Sequence, residues 1–208
     1  MANINSTGFG LKPVDLVGSS ANSTGATKYY IKSDAAAMYQ GSPVIATDDG
    51  TIAITGAATG DTYKHIGAFA GCEYVDATTK EPKFSNFWPG SGSADTNYDI
   101  VAYVYDNPFQ KFLVVADGSV TNKATARGLI FENVEFALGT SGSTVTGVSS
   151  AVFDADGTID DTDTSLPMKI VGIYDQPDSQ TYDEVGIVFI VTLNNHALLQ
   201  ADSTGTVA

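Results

Sequence analysis

Apolar residues recur along this chain in short runs separated by turn-forming residues, which is the pattern of β-strands. The first clear runs, at 28–32, 43–47 and 51–55, are predicted to be strands. Between the last two lies the sequence DDG at 48–50, a tight-turn sequence when it joins apolar runs. The segment 43–55 is therefore predicted to be a hairpin.

A second hairpin is predicted from two aromatic-rich runs. The run 66–74 (IGAFAGCEY) is followed by a polar turn at 76–81 and a returning run at 83–89 (KFSNFWP). Phe84, Phe87 and Trp88 in the returning run need cover, because aromatic side chains mostly serve burial. Core or subunit-interface packing is the favoured interpretation, and a platform for stacking sugars is the functional alternative.

Two later runs, 98–106 and 185–193, are apolar on both faces of a strand, and a further apolar run lies between them at 112–117. In the first, Ile100 and Val104 lie on one face while Tyr103 and Tyr105 lie on the other. Strands covered twice indicate a barrel or sandwich with extra cover from a further layer or subunit. Self-association is the simplest source of that cover, and the aromatics predicted to lie at interfaces are Phe87, Trp88, Tyr103 and Tyr105.

The predicted fold class is all-β, antiparallel and sandwich- or barrel-like, with an extended N-terminal arm and little helix. The 21 glycines agree with frequent turns. Residues 1–27, rich in Gly, Ser, Asn and Thr, form the predicted arm, and 28–208 a single β-rich domain, with a subdivision near 118–150 left open. A short helix is predicted within 124–133, and 139–150 is predicted to be a loop.

The net charge of the chain disfavours several classes of partner. The chain carries 24 acidic and 10 basic residues, for a net charge of −14, which disfavours nucleic acid and anionic lipid as partners. No stretch approaches the roughly 18 apolar residues of a membrane span. The first residues do not resemble a cleaved signal. Synthesis in a cytoplasm is expected, and the single Cys72 is predicted to be a buried free thiol.

Residue types suited to catalysis or metal binding are few and scattered. His65 and His196 have no partner at ligand spacing, and neither a nucleophile elbow nor a phosphate loop occurs. The sequence DADGTIDDTD at 154–163 resembles part of a calcium loop, with Asp154 and Asp156 as candidate ligands, but Val152 stands where the first carboxylate belongs. A solvated acidic turn is favoured there, and we predict a non-enzyme with no metal or cofactor.

Several longer segments carry a family resemblance. They are TGFGLKPV (7–14), YYIKSDAAAMYQGSPV (29–44), IGAFAGCEYVD (66–76), KFSNFWPG (83–90), DIVAYVYDNP (99–108) and LPMKIVGIYDQPD (166–178). In this order they resemble head-associated structural proteins of tailed bacteriophages, the capsid decoration or cement proteins. The resemblance spans about residues 7–199 and includes no catalytic residue.

The resemblance implies a β-rich homotrimer on the outer surface of the virion, bound to the major capsid protein and tying capsomers together. The hypothesis for docking is that Phe9, Leu11 and Lys12 anchor the arm on the shell. One alternative is a receptor- or carbohydrate-binding β domain of a tail or fibre component, with Trp88, Tyr103 and Tyr105 stacking on sugars. Another virion part, such as a neck protein, is also left open.

Overall fold

The computed structural model describes residues 7–18, 25–55, 65–163, 165–177 and 179–199. They form an antiparallel, almost entirely β structure with one short helix, as predicted. The strands, in chain order, are β1 Lys12–Leu16, β2 Thr27–Ile31, β3 Met38–Tyr39, β4 Pro43–Ala46, β5 Ile52–Ile54, β6 His65–Val75, β7 Pro82–Ser85, β8 Phe87–Trp88, β9 Ile100–Tyr105, β10 Gln110–Val115, β11 Asn133–Val134, β12 Phe136–Ala137, β13 Val152–Phe153, β14 Ile159–Asp160, β15 Met168–Ile173 and β16 Val188–Leu193.

The first half of the fold is a closed five-stranded barrel. Its strands are joined in the order β4-β5-β2-β9-β6, and β6 pairs back onto β4 to close the ring. Both predicted hairpins are confirmed: β4 pairs with β5, and β6 pairs with β7, which extends the sheet beyond the ring. The interior is apolar, with Ile31, Val44, Phe69 and Val104 among its buried side chains.

The long strand β6 makes closure possible, because it pairs with β4 near its start, with β7 near its end and with β9 along its length. Its register shifts between Phe69 and Gly71, and bulges of this kind bend strands at barrel corners. Gly67 lies where β6 passes closest to β9. A Cβ atom there would be 1.9 Å from the Tyr105 carbonyl oxygen, so the site requires glycine.

The second half is a six-stranded sheet in the order β1-β10-β16-β15-β11-β14. Strand β10 is buried on both faces: Phe112 and Val114 enter the main core of this half, and Leu113 and Val115 enter a smaller cluster on the other face. Phe9 packs against that smaller cluster. The second layer of cover on β10 therefore comes from the chain itself.

The segment predicted to be an arm is partly built into this sheet. Lys12–Leu16 is extended, but it pairs antiparallel with β10, and Leu11 is buried in the main core. The Leu11 amide donates to the Gly41 carbonyl oxygen at 2.8 Å, which fixes the segment against the barrel. Residues 7–16 thus belong to the folded body, because their apolar side chains cover the sheet. Residues 1–6 and 19–24 of the predicted arm lie outside the described residues.

The one helix among the described residues, α1 (Lys123–Gly128), falls within one residue of the start predicted for it. Asn122 caps it by accepting from the amides of Ala124 and Thr125, both at 2.9 Å. It is shorter than predicted, since Leu129 follows as its C-cap. Across the described residues no helix has the length and apolar character needed to cross a membrane.

The segment 139–150 is a loop, as predicted, with isolated bridges such as the one from Gly142 to Ser149. The segment 118–150, where a subdivision had been left open, contributes Val120, Ala126 and Phe136 to the core of the second half. Ala68 of β6 is buried in this core and Tyr105 of β9 packs against it, which joins the two parts of the fold. We call the two parts the barrel half and the sheet half.

Candidate binding surface

The outside of the barrel half presents apolar and aromatic side chains in register across four strands. Tyr30 on β2 lies opposite Val101 on β9, Val101 lies opposite Glu73 on β6, and Glu73 lies opposite Phe84 on β7. Directly paired residues project from the same face of a sheet. At about 4.8 Å between strands, this row spans roughly 14 Å.

Two members of the row are strongly exposed. Tyr30 is 54% exposed and Phe84 is 74% exposed, while Val101 and the neighbouring Tyr103 are half-buried. We call Tyr30, Phe84, Val101 and Tyr103 the outer aromatic face. An exposed apolar patch with polar neighbours is typical of a surface that contacts a partner.

Polar contacts hold the centre of this face in place. Tyr103 Oη donates to Glu73 Oε2 at 3.1 Å, and Lys28 Nζ lies 5.7 Å from the centre of the Tyr103 ring. The cation and the carboxylate therefore restrain the ring from its face and from its hydroxyl end. Such a restrained ring loses little conformational entropy when a partner covers it.

A shallow pocket of about 400 Å³ lies between Tyr103 and Phe84. Gly71, which pairs with Tyr103, lies at its floor, and Asn86 contributes an amide to its rim. The half-buried Tyr103 ring borders the pocket on one side. A flat group can enter beside that ring.

Two of the predicted interface aromatics pack internally instead. Trp88 is fully buried, donates from Nε1 to the Ala35 carbonyl oxygen at 3.2 Å, and meets the Tyr74 ring edge-on with centroids 5.3 Å apart. Its prediction as an interface or sugar-stacking residue is wrong. Phe87 is half-buried and stacks on Tyr39 at 6.1 Å. Pairing of β3 with β8 brings Trp88 beside Met38 in the barrel core and Phe87 beside Tyr39.

The three predicted arm anchors and one predicted interface aromatic come together in a second feature. Phe9, Leu11, Lys12 and Tyr105 line a cleft of about 580 Å³ between the two halves, over Leu113. We call it the edge cleft. Leu11 is wrong as an exposed anchor because its side chain is buried in the core. Phe9 is half-buried and Lys12 is exposed, so both remain accessible at the cleft.

The acidic turn brings its carboxylates close together without forming a metal centre. Asp154 Oδ1 accepts from the Asp156 amide at 3.1 Å, and Asp117 Oδ1 accepts from the Ala155 amide at 2.8 Å. Burial raises the pKa of Asp117, and the charges of Asp154 and Asp156 raise it further. Within the described part of the chain, no group of three His, Cys, Asp or Glu residues is arranged to hold a metal ion.

The two histidines, far apart in sequence, meet in a buried seam between the halves. His65 and His196 form a parallel bridge, and the His65 ring meets Phe136 of the sheet half at 5.7 Å. His65 Nδ1 and His196 Nε2 are buried without a hydrogen-bond partner among the described residues. His196 Nδ1 accepts from the Leu198 amide at 3.2 Å.

Burial lowers the pKa of His65 to about 4, and the nearby His196 lowers it further. Burial also lowers the pKa of His196, against the opposing effects of the Ile66 carbonyl and Asp106. Both rings are therefore neutral at pH 7. Cys72 is buried as predicted, donates to the Phe87 carbonyl oxygen at 3.4 Å, and has its pKa raised by burial to about 12.

No protein-family model, curated protein or solved structure matches this chain. The sequence analysis missed Tyr30 as a surface residue, although strand alternation offered a signal. Ile31 points inward on β2, so Tyr30 must point outward. Phe84 was expected to need cover and is left without it by the described residues.

Proposed function

We propose that this chain is a non-enzymatic virion structural protein that binds the outer surface of a tailed-phage head and stabilises contacts between capsomers. The observation that carries the proposal is the outer aromatic face, where Tyr30 and Phe84 are exposed in register on a rigid barrel. The sequence resemblance to capsid decoration proteins supports the same function. The major capsid protein is the proposed partner.

The barrel suits this task because its strands fix the positions of the exposed rings. Apolar rings on a rigid support bind a partner mainly by area removed from water, which needs no attraction between net charges. This matters for a chain with a net charge of −14, since long-range repulsion from an acidic shell would oppose docking. Short-range apolar contact overcomes that repulsion only where the two surfaces fit.

A homotrimer is proposed as the binding form. One contact per subunit is modest, but three linked contacts that match the symmetry of the shell raise the overall affinity by ~10²–10⁴. Sedimentation velocity tests this part directly, since the proposal requires a species of three times the chain mass. A monomer at the highest soluble concentration would contradict it.

The decisive experiment mixes the purified protein with mature undecorated capsids and with unexpanded procapsids, followed by co-sedimentation. The proposal expects saturable binding to the expanded form. Phe84→Ser should weaken binding roughly tenfold per contact, because the most exposed ring of the outer aromatic face is removed. Phe131→Ser, at an exposed aromatic residue whose amide bonds to Ile170 of the sheet half, is the matched control and should bind as the parent does. Absence of binding to either shell would refute the proposal.

A receptor- or carbohydrate-binding β domain is the second candidate, favoured by the pocket between Tyr103 and Phe84. A sugar ring stacking on Tyr103 would lie over Gly71 and beside Asn86, whose Nδ2 donates to the Thr146 carbonyl oxygen at 2.9 Å. A glycan array distinguishes the candidates. Selective retention of one glycan class, lost in Tyr103→Ser, would favour this function over shell decoration.

A further inference from the structure

A third pocket opens at the end of the outer aromatic face. It has a volume of about 340 Å³ and lies between the strand β2 and the turns at 48–50 and 95–98. Its floor includes the buried Ile31 and Ile100. Tyr30 and Tyr98 line it and are 54% and 60% exposed. We call it the tyrosine pocket.

Two carboxylates lie at this pocket, and they differ in their environment. Asp49 accepts from the Thr51 hydroxyl at 2.7 Å and pairs with Lys32 at 3.4 Å. Hydrogen bonds from Thr47 and Thr51 hold the pKa of Asp49 well below its usual range. Asp99 is exposed and receives no hydrogen bond or ion pair from the described part of the chain.

We infer that the tyrosine pocket receives a basic side chain of a protein partner, with Asp99 as its counter-ion and Tyr30 and Tyr98 against its flat faces. A guanidinium group fits these walls chemically, because it stacks on aromatic rings and pairs with carboxylates. The apolar floor formed by Ile31 and Ile100 can contact the methylene stem of arginine.

Charge selects this occupant over a neutral one. Asp49 is already balanced by Lys32, whereas Asp99 adds a negative charge beside the two rings. Neither a sugar nor an apolar peptide would balance that charge. A cation from the partner balances it without burying an unpaired group.

As a description of capsid docking, the inference rests on the proposed function and adds the chemistry of the contact: a basic residue of the shell enters the pocket beside the outer aromatic face. Tyr30 belongs to both surfaces, so one partner can contact them together. This charged contact makes binding specific, since a partner without a cation at this position leaves the Asp99 carboxylate without a counter-ion.

The test titrates the intact protein with N-acetyl-arginine amide and follows backbone amide resonances by NMR. Two exposed rings and one exposed carboxylate predict weak binding, with a Kd on the order of 10–100 mM. The resonances of Gly50, Thr51 and Asp99 should shift, and the uncharged analogue N-acetyl-citrulline amide should leave them in place. Equal shifts with both compounds would overturn the inference.

Two variants that each remove one negative charge distinguish arginine binding at the pocket from nonspecific attraction to the acidic chain. Asp99→Asn should weaken arginine binding roughly threefold, because an exposed ion pair contributes little more. Asp161→Asn removes the same charge from an exposed position of the sheet half and should have no effect. A titration in which methyl glycosides shift the pocket resonances and arginine does not would also overturn the inference.

The arginine titration needs no phage particles, so its result is independent of the capsid-binding experiment. Arginine binding without any capsid binding would refute the proposed function and leave the pocket assignment standing. Capsid binding that Asp99→Asn leaves unchanged, together with a silent arginine titration, would refute the pocket assignment and leave the proposed function standing.

Discussion

The buried histidine pair at the seam predicts that acid weakens this fold more than its carboxylates alone would. His65 is neutral in the folded chain, with a pKa of about 4, whereas in the unfolded chain it has an ordinary value near 6.5. As the pH falls below about 6.5, the unfolded chain takes up the proton first. The contribution of His65 to stability is therefore complete above that pH and is lost as the pH falls toward about 4.

The size of the effect follows from these two pKa values. Between about pH 8 and pH 5, linkage gives a loss of about 2 kcal/mol in the free energy of unfolding from His65 alone. The residue is almost fully buried, so solvent screening reduces this figure little. His196 adds to the loss in the same direction, because its pKa is also lowered by burial.

The perturbation is His65→Leu, which keeps an apolar group against Phe136 and removes the titrating ring. Urea unfolding followed by the fluorescence of Trp88, the single tryptophan, gives the free energy of unfolding at each pH. All carboxylates titrate in both proteins, so the difference between the two pH curves isolates His65. The parent should lose about 2 kcal/mol more than the variant between about pH 8 and pH 5.

Parallel pH curves for the parent and His65→Leu would refute the reasoning, since they would mean that His65 is protonated equally in both states. The His65 Cε1 proton resonance gives a second measurement. Its chemical shift should remain that of a neutral ring down to about pH 5. A midpoint near 6.5 in the folded protein would contradict burial as the controlling factor.

Further predictions concern the core and the backbone. Trp88→Ala should lower the free energy of unfolding by about 3–5 kcal/mol, and Leu11→Ala by about 2–5 kcal/mol, in urea titrations. An effect below about 1 kcal/mol for Leu11→Ala would favour the predicted extended arm over a segment built into the core. Gly67→Ala should strongly lower the melting temperature, because the added Cβ atom would clash with backbone atoms. Gly172→Ala should leave the melting temperature nearly unchanged, because its Cβ atom would make only ordinary contacts. Similar melting temperatures for the two variants would contradict this contrast. Cys72 should react with a thiol reagent only after unfolding, and rapid labelling of the native protein would show that its burial is incomplete.

The sequence alone determined the strand content and the local pairings. Alternation of apolar residues and the DDG turn predicted the β4–β5 hairpin, and the polar turn at 76–81 predicted the pairing of β6 with β7. The double apolar pattern at 185–193 predicted burial of both faces of β16, where Phe189 and Val188 lie in different clusters. These features depend on neighbours close in the chain, so periodicity and turn chemistry carry them.

Only the tertiary structure decided where distant segments meet. A glycine-rich N-terminal segment has the composition of an arm, yet Phe9 and Leu11 lie in apolar clusters because β10 needs cover on both faces. Trp88 and Phe84 have similar hydrophobicity and lie four residues apart. One is buried under β3 and the other is exposed on β7, according to which strand pairs beside each.

For the candidate surfaces, too, the sequence determines local features and the tertiary structure decides which distant residues meet. Strand alternation fixes that Tyr30 points away from Ile31, but only the pairing of β2, β9, β6 and β7 aligns Tyr30 with Phe84. The meeting of His65 with His196 likewise depends on packing of the chain end against the barrel. Contacts between residues far apart in sequence depend on how the whole molecule buries its apolar surface. A local sequence pattern does not contain that information.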